Sequence, residues 1–295
     1  MLEQNSHSAG RIGGFFLGLF GASFFGFIPV FAVPLLKTGY SVETVACYRF
    51  GLAALALLPF AVRARLQSSQ ILAIMGLAVF YFLDVLFFFH ALNFLSGGIV
   101  ATLEFLCPVF TVGIMIIFFH ERGGILTGIG IALAIAGTAL LGLSPDSAAT
   151  ASGHSIGVLL SLLAALCNAL YYVGFKWLGP KAPGALASTF FVMLSCALCS
   201  LANGMIGGNL QWIAPSRSLL YAISLALVTA VLSNICLIAA IQRIGPTPVS
   251  ILGVMEPVTA VAAGIVFLGE KSSLNIWLGL FFSILAVLCV LRSAK

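Results

Sequence analysis

The chain has 295 residues, of which 61% are hydrophobic and only 7% are charged. A soluble domain carries about a quarter charged residues, so this chain cannot cover a water-facing surface, and a soluble globular protein is excluded. The formal net charge is +5, but the lysines and arginines stand singly at the ends of apolar segments. Because they form no basic patch, the sequence predicts no nucleic-acid partner.

Apolar segments long enough to cross a bilayer follow one another along the whole chain. A helix rises about 1.5 Å per residue, so about 20 apolar residues span a hydrocarbon layer about 30 Å thick. The first segment is too long for the core of a signal peptide, and we expect it to be retained. The sequence predicts an all-α membrane protein with ten transmembrane helices, over residues 12–35, 42–62, 70–94, 97–119, 124–143, 156–178, 184–206, 218–242, 247–268 and 274–291.

Basic residues near the ends of these segments predict the orientation, because loops rich in lysine and arginine stay in the cytoplasm. With the N-terminus inside, three of them fall on the outer side: Lys37, Arg217 and Lys271. Nine fall on the inner side: Arg11, Arg63, Arg65, Arg122, Lys176, Lys181, Arg243, Arg292 and Lys295. This distribution indicates a multi-pass protein of a bacterial inner membrane with both termini in the cytoplasm.

An internal repeat appears when the chain is aligned with itself at an offset of 149 residues. The offset places Pro108-Val109 on Pro257-Val258, Glu121-Arg122 on Glu270-Lys271, and Gly130 on Gly279. The repeats cover residues 13–143 and 156–292, with five predicted helices each. Since five is odd, the two copies insert upside down relative to each other. Inverted repeats of this kind are typical of alternating-access carriers, which bind their cargo near the middle of the membrane.

Small residues recur every four positions in the first helix, at Gly14, Gly18, Ala22 and Gly26. A ladder of this kind is typical of a face on which two membrane helices pack closely. We interpret it as a packing face in preference to a ligand contact.

Several short motifs resemble the drug/metabolite transporter superfamily, in particular its ten-helix EamA-type branch. They are Glu256-Pro257-Val258, Leu268-Gly269-Glu270-Lys271 and Gly279 in the second half, with Pro108-Val109-Phe110 and His120-Glu121-Arg122 in the first. The resemblance implies ten helices, cytoplasmic termini, and a central cavity lined by the first four helices of each repeat. One position departs from the family pattern, because Cys107 stands where a glutamate precedes the proline. Glu104 lies one turn earlier, and a relocated acid is one interpretation of it.

Four predicted helices carry an ionisable residue well inside, namely Arg49, Asp84, Glu104 and Glu256. A charge at the centre of a membrane helix costs about 2.5–3.5 kcal/mol on insertion scales, so each is expected to face the interior of the bundle. The fifth and tenth helices carry none. This segregation is consistent with the cavity that the resemblance implies.

Glu256 has two interpretations. It is either a cavity carboxylate that binds a substrate ammonium or carries a proton, or a neutral acid that only holds a kinked helix. Pro257 would break the helix and expose a backbone carbonyl. Glu104 stands four residues before the second helix-breaking proline, Pro108, and has the same two interpretations.

Asp84 shares a helix face with Tyr81, which stands one turn before it, and an acid in that position suits a proton-coupling role. The alternative is a static ion pair with Arg49. Arg49 could instead bind a substrate carboxylate through two parallel hydrogen bonds. Amide and aromatic side chains for further substrate contacts are available at Asn168, Tyr171 and Asn234.

No phosphate-binding loop, metal-ligand cluster or paired nucleophile and base appears in the sequence, so we predict no cofactor, no metal and no catalytic residue. The leading hypothesis is a secondary transporter that exports a small polar or amphipathic metabolite, such as an amino acid, by facilitated diffusion or proton exchange. An importer of a vitamin or an amine is one alternative, and a membrane-embedded lipid-modifying enzyme is another. The predicted partners are a small molecule and the lipid bilayer, with protons as the coupling ion if there is one. Both a monomer and a homodimer are compatible with the sequence.

Overall fold

The computed structural model describes residues 2–61, 66–91, 94, 100, 103–121, 124–142, 154–179, 182–214, 217–268 and 274–293. Within these ranges the secondary structure is helical and contains no strand. The helices form ten spans in chain order: α1 (Leu2–Phe25 and Ile28–Lys37), α2 (Val42–Ala61), α3 (Ser68–Ala91), α4 (Cys107–Phe119), α5 (Ile125–Gly142), α6 (His154–Leu178), α7 (Ala185–Gly207), α8 (Arg217–Ser224, Leu225–Leu232 and Ser233–Ile244), α9 (Pro246–Leu252 and Met255–Leu268) and α10 (Leu274–Ser293).

The spans differ in how much of a membrane they can cross by themselves. Among the residues that the structure describes, six stretches are long and apolar enough by length and composition: Gly10–Lys37, Val42–Ala61, Ser68–Ala91, Ser155–Leu178, Ala185–Gly207 and Arg217–Ile244. Shorter apolar helices cover Cys107–Phe119, Ile125–Gly137 and Trp277–Cys289. The predicted all-α membrane fold of ten helices is confirmed.

Three predicted helices, the first, the fourth and the ninth, are interrupted in the structure, and in the ninth the break is a turn at residues 253–254. The first was expected to be continuous over residues 12–35, but a turn at Gly26 and Phe27 interrupts it. The fourth was expected to be continuous over residues 97–119, but a turn at residues 105–106 separates the helical residues 103–104 from α4, which begins at Cys107. Apolar composition predicts where a span lies, but it does not show where the backbone leaves the helical conformation.

Some residues used in the sequence analysis lie outside the described part of the chain. They are the topology signals Arg63, Arg65, Arg122, Lys181, Lys271 and Lys295, together with Gly269 and Glu270 of the second repeat.

The breaks in the fourth and ninth spans stand at nearly equivalent positions of the two repeats. The turns cover residues 105–106 and 253–254, so the 149-residue offset superposes them to within one residue. In both cases a proline follows, Pro108 or Pro257, which has no N–H to donate to the carbonyl four residues earlier. At the second break, the N–H of Glu256 donates instead to the carbonyl of Gly253, at 2.9 Å. The repeated proline therefore gives both halves a discontinuous helix.

Helix packing follows the same inverted symmetry. The second span packs on the seventh, the fourth on the ninth, and the fifth on the tenth. The contact between α1 and α8 is matched by the contact between α6 and α3, which are the equivalent helices when the two repeats are exchanged. The main hydrophobic core lies among α2, α3, α6, α7 and α8, and includes the fully buried Phe50, Met193 and Ile238.

The small-residue face of α1 packs against α8 and α9. A Cβ atom at Gly14 would lie 2.6 Å from Ile244, and one at Gly18 would lie 2.8 Å from Leu252. At Gly26, inside the break of α1, an added Cβ would lie 2.5 Å from the carbonyl oxygen of Glu256. The ladder therefore lets α1 approach the residues that form the site described next.

Candidate functional site

A central cavity of about 80 Å³ lies among α1, α2, α3, α6, α8 and the breaks of the fourth and ninth spans. All eight side chains that the sequence analysis selected for substrate or proton binding line it: Arg49, Tyr81, Asp84, Glu104, Asn168, Tyr171, Asn234 and Glu256. They come from six spans and from both repeats. The fold therefore brings together residues that are up to 207 positions apart in the chain.

Arg49 projects from α2 into this cavity and is itself only 5% exposed. Its guanidinium carbon lies 5.8 Å from the centre of the Phe25 ring and 5.4 Å from that of Phe50. These two aromatic faces stabilise the cation away from water. The Nη2 atom donates to the backbone carbonyl of Thr229, at 3.2 Å.

The Thr229 carbonyl, which accepts the hydrogen bond from Arg49, lies in an unusual stretch of α8. Residues Leu225–Leu232 form a π-helix, in which the backbone is wider than in an α-helix. The Thr229 hydroxyl donates back to the carbonyl of Leu225 at 2.7 Å. Short π-helical stretches are frequent at functional sites because they present backbone groups that an α-helix would keep paired. Here the wide stretch anchors the one guanidinium found among the described residues that line the cavity.

Three carboxyl groups share the cavity with Arg49. Asp84 is buried, and its carboxyl group lies within hydrogen-bonding reach of that of Glu104. Neither group has a hydrogen to donate unless one of them carries a proton. Glu256 belongs to the first turn of the helix that follows the break in α9, and its side chain is exposed to the cavity. Arg49 lies close enough to act on the charges of both Asp84 and Glu256.

The static ion pair that the sequence left open for Arg49 is not formed. The polar contact of Arg49 goes to the Thr229 carbonyl, and no direct ion pair joins it to an acid in the ranges that the structure describes. Its Nε atom, the Tyr81 hydroxyl and Oδ1 of Asp84 are all buried without a hydrogen-bond partner. Unpaired buried polar atoms are costly, so three of them around one cavity indicate a place that a ligand can fill.

An aromatic wall closes one side of the cavity. Tyr81 stacks on Tyr171 with ring centres 4.9 Å apart, and Phe50 meets Tyr81 edge-on at 5.9 Å. The Tyr171 hydroxyl donates to Oδ1 of Asn234 over a long 3.5 Å, while Nδ2 of Asn234 donates to the carbonyl of Ala230 at 3.0 Å. This wall joins α3, α6 and α8 and fixes the orientation of the amide.

Sequence reasoning missed three contributors to the site. Phe25 and Phe50 flank the guanidinium, and Thr229 anchors it. Tyr172 also lines the cavity and is 9% exposed. Nothing in the local sequence marks Thr229, because its role depends on a backbone carbonyl and on the π-helical stretch around it.

The residues lining the cavity do not suggest a metal centre. Among the residues with described positions, no group of three histidine, cysteine or acidic side chains is placed to hold a metal ion. Cys196 and Cys199 of α7 have the spacing of a CxxC pair, but both are free thiols, and the Cys196 thiol packs 3.7 Å from the carbonyl of Ala78 in α3.

Two stretches of the chain, residues 12–143 and 155–292, match the model of the EamA-like transporter family. The chain belongs to the EamA-like transporter family. As a member of this family, it is a multi-pass membrane transporter built from two repeats of five helices. The resemblance drawn from the proline and glycine motifs is therefore confirmed.

Two individual proteins illustrate how far the likeness extends. An uncharacterized transporter, YdfC of Bacillus subtilis (strain 168), is 27% identical over 139 residues, which are 46% of this chain and 44% of that protein. A protein of known crystal structure superposes on 96% of this chain and 99% of its own, with a TM-score of 0.80 and 15% sequence identity. A likeness at that identity shows a shared fold and carries no information about the cargo.

Proposed function

We propose that this member of the EamA-like transporter family is a secondary transporter that exports a small amino-acid-like zwitterion across the bacterial inner membrane. The observation that carries the proposal is the composition of the central cavity. It holds one guanidinium and three carboxyl groups, and no direct ion pair joins them in the described ranges. A molecule with both a carboxylate and an ammonium group can pair its carboxylate with the guanidinium and its ammonium with the carboxyl groups.

Arg49 is the proposed partner of the substrate carboxylate. A guanidinium presents parallel N–H groups that match the two oxygens of a carboxylate. Its Nη2 is held by Thr229 while its buried Nε has no partner, so the head group is anchored at one edge and free at another. The flanking rings of Phe25 and Phe50 keep it in place between transport cycles.

The carboxyl groups are the proposed partners of the substrate ammonium and of a coupled proton. Glu256 is exposed to the cavity and available for direct contact. Asp84 and Glu104 lie close enough to hold one proton between them. Binding of a cationic group beside this pair would favour loss of the proton, because two neighbouring negative charges are tolerated better near a cation. This linkage supports proton exchange as the coupling mode.

The inverted packing of the two repeats supports alternating access. The large contact between α1 and α8 has its equivalent in the contact between α6 and α3, and exchanging the conformations of two such halves opens the opposite side. The discontinuous fourth and ninth spans lie beside the cavity, where non-helical backbone is tolerated because it does not face lipid. The excess of lysine and arginine on one side supports cytoplasmic termini.

Counterflow in proteoliposomes tests the substrate class. Vesicles containing the purified full chain are loaded with one neutral amino acid, and uptake of a labelled panel is measured with and without a proton gradient. We expect uptake of zwitterionic amino acids, and at least about tenfold poorer competition by N-acetyl and methyl-ester analogues, because loss of one charged hydrogen bond costs about 1.5–3 kcal/mol.

The possible outcomes separate the alternatives. If amines that lack a carboxylate compete strongly, the transported substrate is an amine and not an amino acid. If acetylated and free amino acids compete equally well, the carboxyl side chains of the cavity do not bind the substrate ammonium group. If no member of a broad metabolite panel moves under either gradient, the transport proposal is wrong for small metabolites.

A further inference from the structure

A second cavity, of about 120 Å³, lies among α2, α3 and α7, and of the residues that line it only Val85 and Phe89 also line the central cavity. It is bounded by the first turn of α2, the last turns of α3, and the last two turns of α7. With the orientation proposed above, all three of these helix ends belong to the outer half of the membrane. The residues that line it are Val42, Glu43, Ala46, Phe82, Val85, Leu86, Phe89, His90, Ser200 and Asn203. We call it the outer cavity.

Glu43 gives the outer cavity its charge. It stands in the first turn of α2, where a carboxylate is well accommodated because the N–H groups of a helix start are unpaired. Its Cβ packs close to Gly204 of α7. In the part of the chain with described coordinates, no lysine or arginine pairs with it, and the cavity lining contains no other charged side chain except the ionisable His90. The carboxylate is therefore available to a ligand.

Ser200 supplies an independent indication of a ligand. Its side chain is only 2% exposed, it lines the outer cavity, and its hydroxyl oxygen is buried without a hydrogen-bond partner. A helical serine normally satisfies its hydroxyl on the carbonyl four residues earlier. The Ser200 hydroxyl, the Glu43 carboxylate and the Asn203 amide form the polar part of the cavity lining. Much of the rest is apolar and includes Phe82 and Leu86.

Two residues of α3, Val85 and Phe89, line the outer cavity and the central cavity alike. They are one helical turn apart, so together they form a thin apolar partition between the two spaces. Phe89 is the larger of the two, and it is the only aromatic side chain among the described residues that line both cavities. The outer cavity is therefore placed on the route between the central site and the outer surface.

A hydrogen-bonded loop holds the outer end of α2 in position. The Ser41 hydroxyl donates to the carbonyl of Asn209 at 2.6 Å, and the N–H of Gln211 donates to the Thr44 hydroxyl at 2.9 Å. The N–H of Ile213 donates to the Tyr48 hydroxyl at 3.2 Å. This loop fixes the helix turn that carries Glu43 against α7.

We propose that the outer cavity is a second binding site, which takes the ammonium group of an amphipathic amine or amino acid between Glu43, Ser200 and Asn203 and its carbon chain against Phe82 and Phe89. The transported molecule would occupy it after leaving, or before entering, the central cavity. That placement on the route rests on the transport function proposed above, whereas the ammonium site itself does not. A ligand of this class matches both the single carboxylate and the apolar wall.

Thiol reactivity tests the site without measuring transport. Ala46 lines the outer cavity and offers no polar side chain, so Ala46→Cys places a reporter there, in a Cys47→Ser background that removes the neighbouring native thiol. The full chain in lipid nanodiscs is treated with 2-aminoethyl or 2-sulfonatoethyl methanethiosulfonate, and labelling at position 46 is followed by peptide mass spectrometry. The same reactions are repeated in the presence of n-butylammonium.

We expect the ratio of the labelling rates of the cationic and anionic reagents to be about tenfold higher at position 46 than for a free thiol. The reason is that a nearby carboxylate attracts the cationic reagent and repels the anionic one. Glu43→Gln should remove that preference and Glu43→Asp should keep it, while the matched control Glu121→Gln, at the opposite end of the molecule, should leave it unchanged. n-Butylammonium should slow labelling when Glu43 or Glu43→Asp is present, and should not do so in Glu43→Gln.

Three results would overturn the proposal: no labelling by either reagent, an equal preference in Glu43→Gln and the parent, or no protection by n-butylammonium in the parent. Should Glu43→Gln fail to fold, the charge preference and the protection in the parent and in Glu43→Asp still decide the matter. All of these measurements stand if the chain transports no amino acid, so failure of the central-site proposal is recognised separately.

Discussion

The guanidinium of Arg49 donates to the backbone carbonyl of Thr229 over 3.2 Å, and this bond joins the first repeat to the second across the central cavity. Because the acceptor is a carbonyl and not an acid, the positive charge of Arg49 stays uncompensated by a direct ion pair. The bond therefore positions the cation without neutralising it. That arrangement suits a group that must bind and release an anion repeatedly.

Arg49→Lys should weaken transport while leaving the fold intact. Lysine keeps the charge but loses the planar fork that can contact Thr229 and a substrate carboxylate together. We expect the apparent KM in proteoliposomes to rise by about tenfold, corresponding to loss of one charged hydrogen bond. Arg217→Lys, at the exposed N-terminal end of α8, is the matched control and should leave KM unchanged. An unaltered KM in Arg49→Lys would contradict the proposed carboxylate contact.

Glu256→Gln should change the dependence of transport on the proton gradient. Glutamine has nearly the same shape and retains hydrogen bonding, but it cannot gain or lose a proton. With Arg49, Asp84 and Glu104 facing the same cavity, removal of one carboxyl leaves the others to interact with the guanidinium. We expect counterflow to become less sensitive to pH, measured between pH 5.5 and about 8.5, where carboxyl groups in such sites exchange protons. A profile identical to that of Glu121→Gln would argue against a role for Glu256.

Gly26→Ala should destabilise the protein. An added Cβ would lie 2.5 Å from the Glu256 carbonyl oxygen and 2.9 Å from the Ala260 nitrogen, and backbone atoms cannot move aside as a flexible side chain can. Overpacking of this kind costs about 1–3 kcal/mol. We expect a lower thermal unfolding temperature in detergent. Gly76→Ala, where nothing apart from the adjoining residues of its own helix lies within 4 Å of the new Cβ, should be neutral or slightly stabilising. Equal unfolding temperatures for both variants would disprove close packing at Gly26.

Phe89→Ala should weaken the partition between the two cavities. The smaller side chain would join the central and outer cavities at the one aromatic residue that both share. We expect exchange to accelerate and amines with longer carbon chains to compete better, as measured by counterflow. Phe80→Ala, on the exposed side of the same helix, is the control, and indistinguishable competition profiles for the two variants would show that Phe89 does not separate the cavities.

Much of the architecture could be predicted from the sequence because membrane insertion imposes simple rules. Ten apolar segments and a repeated proline were enough to predict ten helices with two related halves. The ionisable residues inside the helices, such as Asp84 and Glu256, were correctly expected to gather at one cavity, because the cost of facing lipid leaves them few other places. Their roles in transport stay predictions.

The features that were missed depend on backbone conformation and on neighbours distant in sequence. The break at Gly26 was not predicted, because glycine is common in membrane helices and here also belongs to a packing ladder. Thr229 acts through its carbonyl, which every residue possesses, so no side-chain pattern could have marked it. The outer cavity was missed because Glu43 looked like an ordinary acid at a helix start and Ser200 like an ordinary small residue.

The matched helix contacts of the two repeats contrast with an uneven distribution of charge. Arg49, Asp84 and Glu104 all belong to the first repeat, whereas Glu256 alone comes from the second. The two halves can exchange conformations, but each keeps its own charged side chains. If the transporter works by the proposed alternating access, its inward-open and outward-open forms are therefore different chemical environments for the cargo, and nothing requires the empty protein to populate them equally.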